Sequence, residues 1–327
     1  MTFNPTKFPF YRLPLLALQT VIKSMELDVM FFFYLTSTKA KAVLKISVPN
    51  NSLLLDCSLW DEKRITLESP SNSNKCVLKF SDTVPDSYRS FQLQSVQFRY
   101  FTDFNRIIEI YGDEPLQIGV RMLLTHLADI LQSPKISMDF QVVISLDVAL
   151  ELLNHVKNLN FPMVKIKLGT TNTPAEIYTA FLNEGPRITE ALCMVCLSPA
   201  GFQYTPSEDF YLERFVVRDG FWVNIEDYIN CKDVIIGRIT YMNRVNAQRL
   251  NEFFKAWKTS SCRLERLVVF VGFSHGINFE EAIMGLNGTN ITRDQLELEY
   301  SVDIERQDGK KATIRLTESH LTMKIKT

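Results

Sequence analysis

The chain has 327 residues, and its 36 basic and 37 acidic side chains give a formal net charge of -1. Hydrophobic residues make up 46% and charged residues 22%, which is the composition of a globular protein rather than a disordered one. A near-neutral chain lacks the strong positive field that draws nucleic acids and anionic membranes, so the balance of charge disfavours both as partners.

The N-terminal region lacks the features of a signal peptide. Pro5, Pro9 and Pro14 interrupt it, and no basic start is followed by an unbroken apolar core. The apolar run over residues 29–35 is far shorter than the ~20 residues that a membrane-spanning helix needs. Six cysteines are too few for a disulfide scaffold. We therefore expect reduced thiols in a cytoplasmic or nuclear protein without a membrane partner.

The N-terminal segment is predicted to form three short helices. Pro14 stands at the first turn of the first helix, where its missing N–H costs nothing, and apolar residues follow at helical spacing. A second helix is predicted over residues 29–35. Thr36 or Ser37 can cap a third helix over residues 39–44.

The composition changes twice after this segment. Residues 47–115 contain short runs of β-branched and aromatic residues, separated by polar clusters such as "SPSNSN", which predicts a β-rich segment of antiparallel strands. From residue 116 helical patterns alternate with strand patterns, and helix followed by strand recurs four times. Asp308-Gly309 is a turn signal that predicts a hairpin at the end of the chain.

Two helix starts carry strong local signals. Thr173 and Glu176 form a capping-box pattern, with Pro174 at the first helical position. Asn246 can cap a helix whose apolar face carries five residues at helical spacing. These five residues are Ala247, Leu250, Phe253, Phe254 and Trp257.

The predicted fold class is therefore α+β or α/β, with a small helical module over residues 1–46 and a larger domain over residues 47–327. Within the larger domain we expect the β-rich part over 47–115 and helix–strand repeats over 116–327. Irregular repeats of this kind favour a curved solenoid with a degraded leucine-rich-repeat pattern. An ordinary open α/β sheet is the alternative.

The N-terminal segment resembles an F-box, and its sequence is most similar to the F-boxes of nematode F-box proteins. The resemblance follows the order and spacing of the motif. The matching residues are Phe8-Pro9, Leu13-Pro14, Val21-Ile22, Leu27 and the segment from Leu35-Thr36-Ser37 to Ala40.

A second stretch, residues 221–270, resembles the type 2 F-box-associated region of the same proteins. The ending "IERQDGKKATI" is similar to the ending of that family. The residues that carry the resemblance are Trp222, Asp227, Asn230, Cys231, Leu250, Asn251, Phe253, Lys255, Trp257, Leu264 and Glu265.

The resemblance implies the substrate-recognition subunit of a Skp–cullin–F-box ubiquitin ligase, which bridges a Skp-type adaptor and a target protein without catalysis or cofactor. A module of ~40 residues buries too little apolar surface to be stable by itself, so it needs a partner surface. The expected adaptor-binding residues are Leu13, Pro14, Leu16, Val21, Ile22, Met25, Leu27 and Leu35. Leu18, Ala40 and Leu44 are expected to pack inside the chain instead.

Two other functions stay open. The first is a protein-interaction module whose F-box no longer binds the adaptor. The second is a serine hydrolase, because residues 272–276 fit the G-x-S-x-G pattern directly after a predicted strand. Ser274 would be its nucleophile, with Asp294 or Asp303 and His320 as partners. The short sequence that follows Ser274 leaves little room for the acid and histidine elements of a hydrolase, which counts against this function.

Cys193 and Cys196 form a CxxC pattern, but they lie in a strongly apolar predicted strand. A redox pair stands at a helix N-terminus, and a zinc site needs further ligands nearby, so we expect two buried thiols. The four histidines show no ligand spacing, and no phosphate-binding glycine loop is present in the sequence. No metal or cofactor is therefore expected.

Overall fold

The structure is a computed structural model of the chain, and it divides into two compact units. The first comprises Met1–Asp139 with Val143–Met163, and the second comprises Phe140–Val142 with Val164–Thr327. The residues described are 10–48, 52–59, 62–70, 74–84, 86–93, 96–103, 107–112, 115–131, 134–141, 145–169, 173–237, 246–270, 277–294 and 299–326.

The first unit begins with the three predicted helices. Pro14 precedes the first of them, and Ser37 starts the third, where its side-chain oxygen accepts a hydrogen bond from the Ala40 N–H at 3.1 Å. The helices of this unit are a 3₁₀ turn at Phe10–Arg12, α1 at Leu15–Ser24, α2 at Leu27–Thr36, α3 at Thr38–Ser47, α4 at Leu116–Ile130 and α5 at Leu146–Asn158.

Helix α4 was not predicted from the sequence. It begins after Pro115 without a side-chain cap, as α1 does after Pro14. Its apolar residues nevertheless recur at helical spacing and are buried. They are Val120, Leu123, Leu124, Leu127 and Ile130.

The strands of the first unit form one sheet in the order β7-β1-β2-β3-β6-β5-β4. Four neighbouring pairs are antiparallel, as the composition predicted, but β3 and β6 run parallel, with Leu78 opposite Ile108. The hairpin β4–β5 lies between β3 and β6 along the chain. The strands are β1 at Leu54–Leu59, β2 at Arg64–Glu68, β3 at Lys75–Phe80, β4 at Arg89–Leu93, β5 at Val96–Thr102, β6 at Ile107–Tyr111 and β7 at Lys135–Gln141.

The helical module does not stand apart from the β-rich segment. Helix α2 packs on β3, and the ring of Phe31 meets the ring of Phe91 edge-on, with 6.0 Å between their centroids. The helices α1 to α3 and the β-rich segment therefore belong to the same compact unit.

The second unit carries nine strands and three α-helices among its described residues. Its helices are α6 at Ala175–Ile188, a 3₁₀ turn at Ile225–Tyr228, α7 at Ala247–Thr259 and α8 at Phe279–Ile283. Its strands are β8 at Met163–Gly169, β9 at Thr189–Met194, β10 at Arg214–Val217, β11 at Asp233–Ile236, β12 at Arg266–Phe270, β13 at Thr289–Asp294, β14 at Glu299–Glu305, β15 at Lys311–Leu316 and β16 at His320–Ile325.

Strands β8 to β12 lie side by side in the order in which they occur along the chain. The pairs β9–β10, β10–β11 and β11–β12 are parallel. Strand β12 then pairs antiparallel with β16, and β15, β14 and β13 complete the sheet. The predicted terminal hairpin is confirmed between β14 and β15, where Gly309 adopts a φ of +84° that favours glycine.

The two predicted helix starts have different outcomes. The Asn246 side chain accepts a hydrogen bond from the Arg249 N–H at 2.8 Å, which confirms the predicted cap of α7. Helix α6 begins where we expected it, but the capping box is wrong. Pro174 occupies the N-cap position, no side chain caps the helix, and Thr173 is buried beside it.

Helix α7 supplies a large part of the second unit's core. The indole of Trp257 is fully buried and donates from Nε1 to the backbone oxygen of Leu264 at 3.2 Å. All five residues of the predicted apolar face are buried. Loss of the cap should therefore loosen a helix on which this core depends.

We predict that Asn246→Ala lowers the free energy of unfolding of the second unit by about 1 kcal/mol, the usual contribution of an N-cap side chain. Urea unfolding followed by tryptophan fluorescence measures this, because Trp222 and Trp257 are both buried in that unit. The control is Asn246→Asp, which keeps an acceptor oxygen at the cap. Equal losses in the two variants would contradict the capping role.

Candidate docking surface on the N-terminal helices

Exposed apolar side chains are concentrated in the N-terminal helices. Six of the fourteen large exposed apolar residues among the described part of the chain lie between residues 11 and 46. The most exposed of all is Leu16, with 78% of its surface accessible to solvent. Apolar side chains clustered in this way mark interaction sites, whereas scattered ones need no explanation.

Helix α1 has two apolar sides, and only one is buried. Leu18 and Ile22, one turn apart, point into the unit, while Leu15 and Leu16 are exposed. The Gln19 side chain donates to the backbone oxygen of Ile46 at 3.0 Å and so holds the end of α3 beside α1. We call the exposed group of Pro14, Leu15, Leu16 and Ile46 the N-terminal patch.

The structure sorts the eight predicted adaptor-binding residues into three groups. Pro14, Leu16 and Val21 are exposed, and Leu13, Met25 and Leu35 are partly exposed. Ile22 and Leu27 are buried, at 0% and 5% exposure.

The prediction for Ile22 and Leu27 therefore needs correction. Leu27 lines the interior of the unit together with Leu44 and Leu127, so it serves the core of its own chain rather than an exposed surface. The core positions predicted for Leu18, Ala40 and Leu44 are confirmed, because all three are buried.

Sequence reasoning missed four exposed residues: Tyr11, Leu15, Val29 and Ile46. Leu15 continues the apolar spacing of the buried side of α1, but it lies in the first turn of the helix and is 54% exposed. Val29 lies in a helix that is apolar nearly all round, where the sequence does not mark which side faces solvent.

The turn before α1 is held by aromatic contacts. The ring of Phe10 meets Phe33 edge-on at 5.3 Å between centroids, and Tyr11 stacks on the same ring at 6.3 Å. The ammonium of Lys39 lies 5.0 Å from the centre of the Tyr11 ring. These contacts fix the position of Pro14 and so the direction in which α1 starts.

A charged group on α4 holds the inner side of the module. The buried Tyr34 hydroxyl donates to Asp129 Oδ2 at 2.7 Å, and Lys45 Nζ lies 2.6 Å from Asp129 Oδ1. Lys41 Nζ lies 4.0 Å from the same carboxylate. Hydrogen bonds from Lys45 and Tyr34 lower the pKa of Asp129, while burial raises the pKa of Tyr34. The carboxylate thus joins α2 and α3 to α4 in its charged form.

His126 lies one turn before Asp129 on the same helix. Its ring meets the ring of Tyr34 edge-on, with 4.4 Å between centroids. Burial, and then the nearby charge of Lys41, lower the pKa of His126 to about 4. The imidazole is therefore neutral at physiological pH, and a proton on it would oppose the packing of α2 on α4.

A pocket of about 330 Å³ lies next to the exposed side of α1. Ile22, Leu27 and Val48 are among its apolar walls, and Lys23 and Asn74 are among its polar ones. Its size is at the lower end of the range for ligand pockets. The half-exposed Met25 also lines it, so the pocket is continuous with a predicted adaptor-binding residue.

We predict that Asp129→Ala lowers the free energy of unfolding of the first unit by roughly 1–3 kcal/mol, because it leaves the buried Tyr34 hydroxyl without its acceptor. The same change made in a Tyr34→Phe background should cost less than half as much. A double-mutant cycle of denaturant unfolding measures the difference. Equal costs in both backgrounds would show that this hydrogen bond contributes nothing to stability.

We also predict that acid weakens the first unit through His126. Its folded-state pKa of about 4 lies below the value of 6.5 for an unperturbed histidine, so the unfolded chain binds more protons between these values. The part of the free energy of unfolding that depends on a neutral His126 is fully present above pH 6.5. Roughly 1–3 kcal/mol of it is lost as the pH falls towards 4. Unfolding free energies of native protein and His126→Gln, measured across this range, should converge at low pH. Parallel curves would contradict this assignment.

The predicted catalytic partners do not form an acid–histidine pair. Residues 272–276, including Ser274, lie outside the described residues. Asp303 bonds to Lys326, Asn290 and Thr313, which lower its pKa to about 2. His320 lies two strands away in the sheet.

The remaining triad candidates are separated in the same way. The Nδ1 atom of His320 lies 2.9 Å from the Ser319 hydroxyl and 3.1 Å from the Thr317 hydroxyl. Asp294 stands on β13, three strands from His320, and neighbouring strands lie roughly 4.8 Å apart. Neither aspartate is therefore in a position to orient this histidine.

The cysteines of the CxxC pattern are both buried, as predicted. Burial raises the pKa of Cys196 to about 11, so its thiol stays protonated and unreactive. No group of three or more His, Cys, Asp or Glu side chains in the described part of the chain is arranged to hold a metal ion. None of the helices described has both the length and the apolar character to cross a membrane.

Comparisons with protein-family models, with curated proteins and with solved structures found no match to this chain.

Proposed function

We propose that this chain is the substrate-recognition subunit of a Skp–cullin–F-box ubiquitin ligase. Its N-terminal helices bind a Skp-type adaptor, and its second unit holds a target protein. The chain supplies no bond chemistry of its own. Two binding surfaces on one chain raise the effective concentration of the target near a ubiquitin-charged enzyme that another subunit carries.

The observation that carries the proposal is the N-terminal patch. Leu15, Leu16 and Ile46 are each more than half exposed on a module whose other apolar side is already buried. Exposed leucine and isoleucine side chains that are concentrated in a small helical module indicate an interaction surface. The segment that resembles an F-box precedes the segment that resembles the F-box-associated region, as in the family, and this order supports a Skp-type adaptor as the partner.

The arrangement of the second unit supports the receptor part of the proposal. We infer that β8 to β12 with their connections are leucine-rich-repeat-like, because each strand pairs with its successor along the chain. An open α/β sheet usually reverses its strand order at a switch point, and this run shows no reversal. Repeats of this type present extended binding surfaces.

One observation favours the alternative function, a protein-interaction module that no longer binds the adaptor. Ile22 and Leu27, two of the eight predicted docking residues, are buried in the chain's own core. The docking surface that we propose does not include them. It consists of the N-terminal patch together with Leu13, Val21, Met25 and Leu35.

We predict that native protein co-purifies with a co-expressed Skp-type adaptor and that Leu16→Asp does not. Loss of a central apolar anchor costs about 2 kcal/mol or more, which is roughly a thirtyfold loss of affinity. Because Leu16 is 78% exposed, the substitution should leave the unfolding midpoint unchanged. Pull-down and a titration of the purified adaptor measure both effects.

The matched control is Val84→Asp, which introduces the same charge at another exposed apolar residue of the first unit. This variant should bind the adaptor as well as native protein does. If folded native protein fails to bind any adaptor, the alternative function is correct. If Leu16→Asp and Val84→Asp bind equally well, the N-terminal patch is not the docking surface.

A further inference from the structure

Strands β10 and β11 of the second unit each have one buried set of side chains and one set that reaches the opposite face. Phe215 and Val217 on β10 belong to the buried set, as do Val234 and Ile236 on β11. Because side chains alternate along a strand, the residues between them share the other face. The register of the sheet arranges these residues in rows that cross several strands.

The first row is cationic. Arg214, Asp233, Arg266 and Lys324 lie opposite one another on β10, β11, β12 and β16. Arg214 Nε lies 3.5 Å and Arg266 Nη1 lies 3.4 Å from the same oxygen of Asp233. One carboxylate is therefore shared between two guanidinium groups, and both keep about half of their side-chain surface exposed.

The positive excess extends beyond this pair. Lys324 is exposed directly opposite Arg266, so two like charges are neighbours across the β12–β16 ladder. On β8 the buried Ile166 and Leu168 alternate with the exposed Lys165, which places this lysine on the same face. This local excess of positive charge contrasts with the net charge of -1 for the whole chain.

The second row is aliphatic. Val216, Ile235, Val268 and Thr322 lie opposite one another, one pleat further along the same strands. Val216 and Ile235 are half-buried, and Val268 is nearly buried between its neighbours. The next position on β12 is Phe270, which is 45% exposed. A cationic row thus runs beside an aliphatic row across four strands.

We propose that this face binds an acidic peptide segment of a protein partner that carries aliphatic side chains among its aspartates and glutamates. Carboxylates of the segment would meet Arg214, Arg266 and Lys324, and its aliphatic groups would cover Val216 and Ile235. Charge complementarity selects the partner and orients it. Burial of the aliphatic row supplies affinity.

A nucleic acid fits this face less well. Single-stranded nucleic acids bind on aromatic side chains that stack with successive bases, whereas the row directly beside the cations consists of Val216, Ile235, Val268 and Thr322, and Phe270 lies one position further along β12. The inference stands on the second unit alone, and under the proposed function this face would be the target-binding surface.

The test selects binders from a random dodecapeptide display library against the full-length chain in the absence of any adaptor. Selected peptides are synthesised, and their affinities are measured by fluorescence polarisation. We expect enrichment of peptides that combine Asp or Glu with Leu, Ile or Val. Lys324→Glu should weaken them at least tenfold, because a favourable charge becomes a repulsive one.

Ile235→Thr tests the aliphatic row and keeps a β-branched side chain, so the strand should persist. It should weaken the same peptides about fivefold, as expected when an apolar contact is lost. The matched control is Lys255→Glu, which reverses an exposed charge on α7 and should leave binding unchanged. Unfolding midpoints confirm that each variant is folded.

Three results would overturn the proposal. Selected peptides without acidic residues would exclude charge recognition. Equal affinities for Lys324→Glu and Lys255→Glu would place the binding elsewhere. Tight binding of a 12-nucleotide uridine RNA that Lys324→Glu abolishes, without any peptide binding, would identify a nucleic-acid site. Because the adaptor is absent, none of these results depends on the N-terminal patch.

Discussion

The first unit depends on one constraint: three helices of ten residues each cannot form a sufficient core by themselves. The helices therefore pack on one another and on later parts of the chain, with α2 against β3 and α3 against α4. This burial takes Ile22 and Leu27 out of reach of any partner, and it leaves Leu15 and Leu16 on the outside. The same constraint thus creates the core and the docking surface.

The connection between the helices and the rest of the first unit is polar as well as apolar. Asp129 joins Tyr34 and Lys45, and the neutral ring of His126 packs against Tyr34. A hydrogen bond to a charged acceptor is stronger than one between neutral groups, and it requires a definite geometry. These contacts fix the orientation of the helices, which apolar packing alone would leave less well determined, and so they fix which side chains an adaptor would meet.

In the second unit the corresponding constraint is the period of two along each strand. Burial of Phe215, Val234 and Leu267 determines which residues reach the other face. The parallel register then places Arg214 beside Asp233 and Val216 beside Ile235. The pairing register of the strands produces the two rows. A shift of this register by one residue would place apolar side chains opposite charged ones.

Local elements whose signals lie within a few residues could be predicted from the sequence. The cap at Ser37, the cap at Asn246 and the turn at Gly309 were all predictable, because each is decided by one side chain or one backbone angle. The order of helices and strands was also largely predictable from periodicity. Helix α4 was not predicted, although its apolar residues recur at helical spacing.

Which apolar residues are exposed depends on the packing of distant segments and could not be predicted from the sequence. Ile22 and Leu16 have the same chemical character in the same helix, but one is fully buried and the other is 78% exposed. The difference depends on the side of α1 that packs against α3, a helix that lies more than twenty residues further along the chain. The two rows of the second unit could not be predicted from the sequence for the same reason. Arg214, Asp233 and Arg266 become neighbours only when β10, β11 and β12 pair.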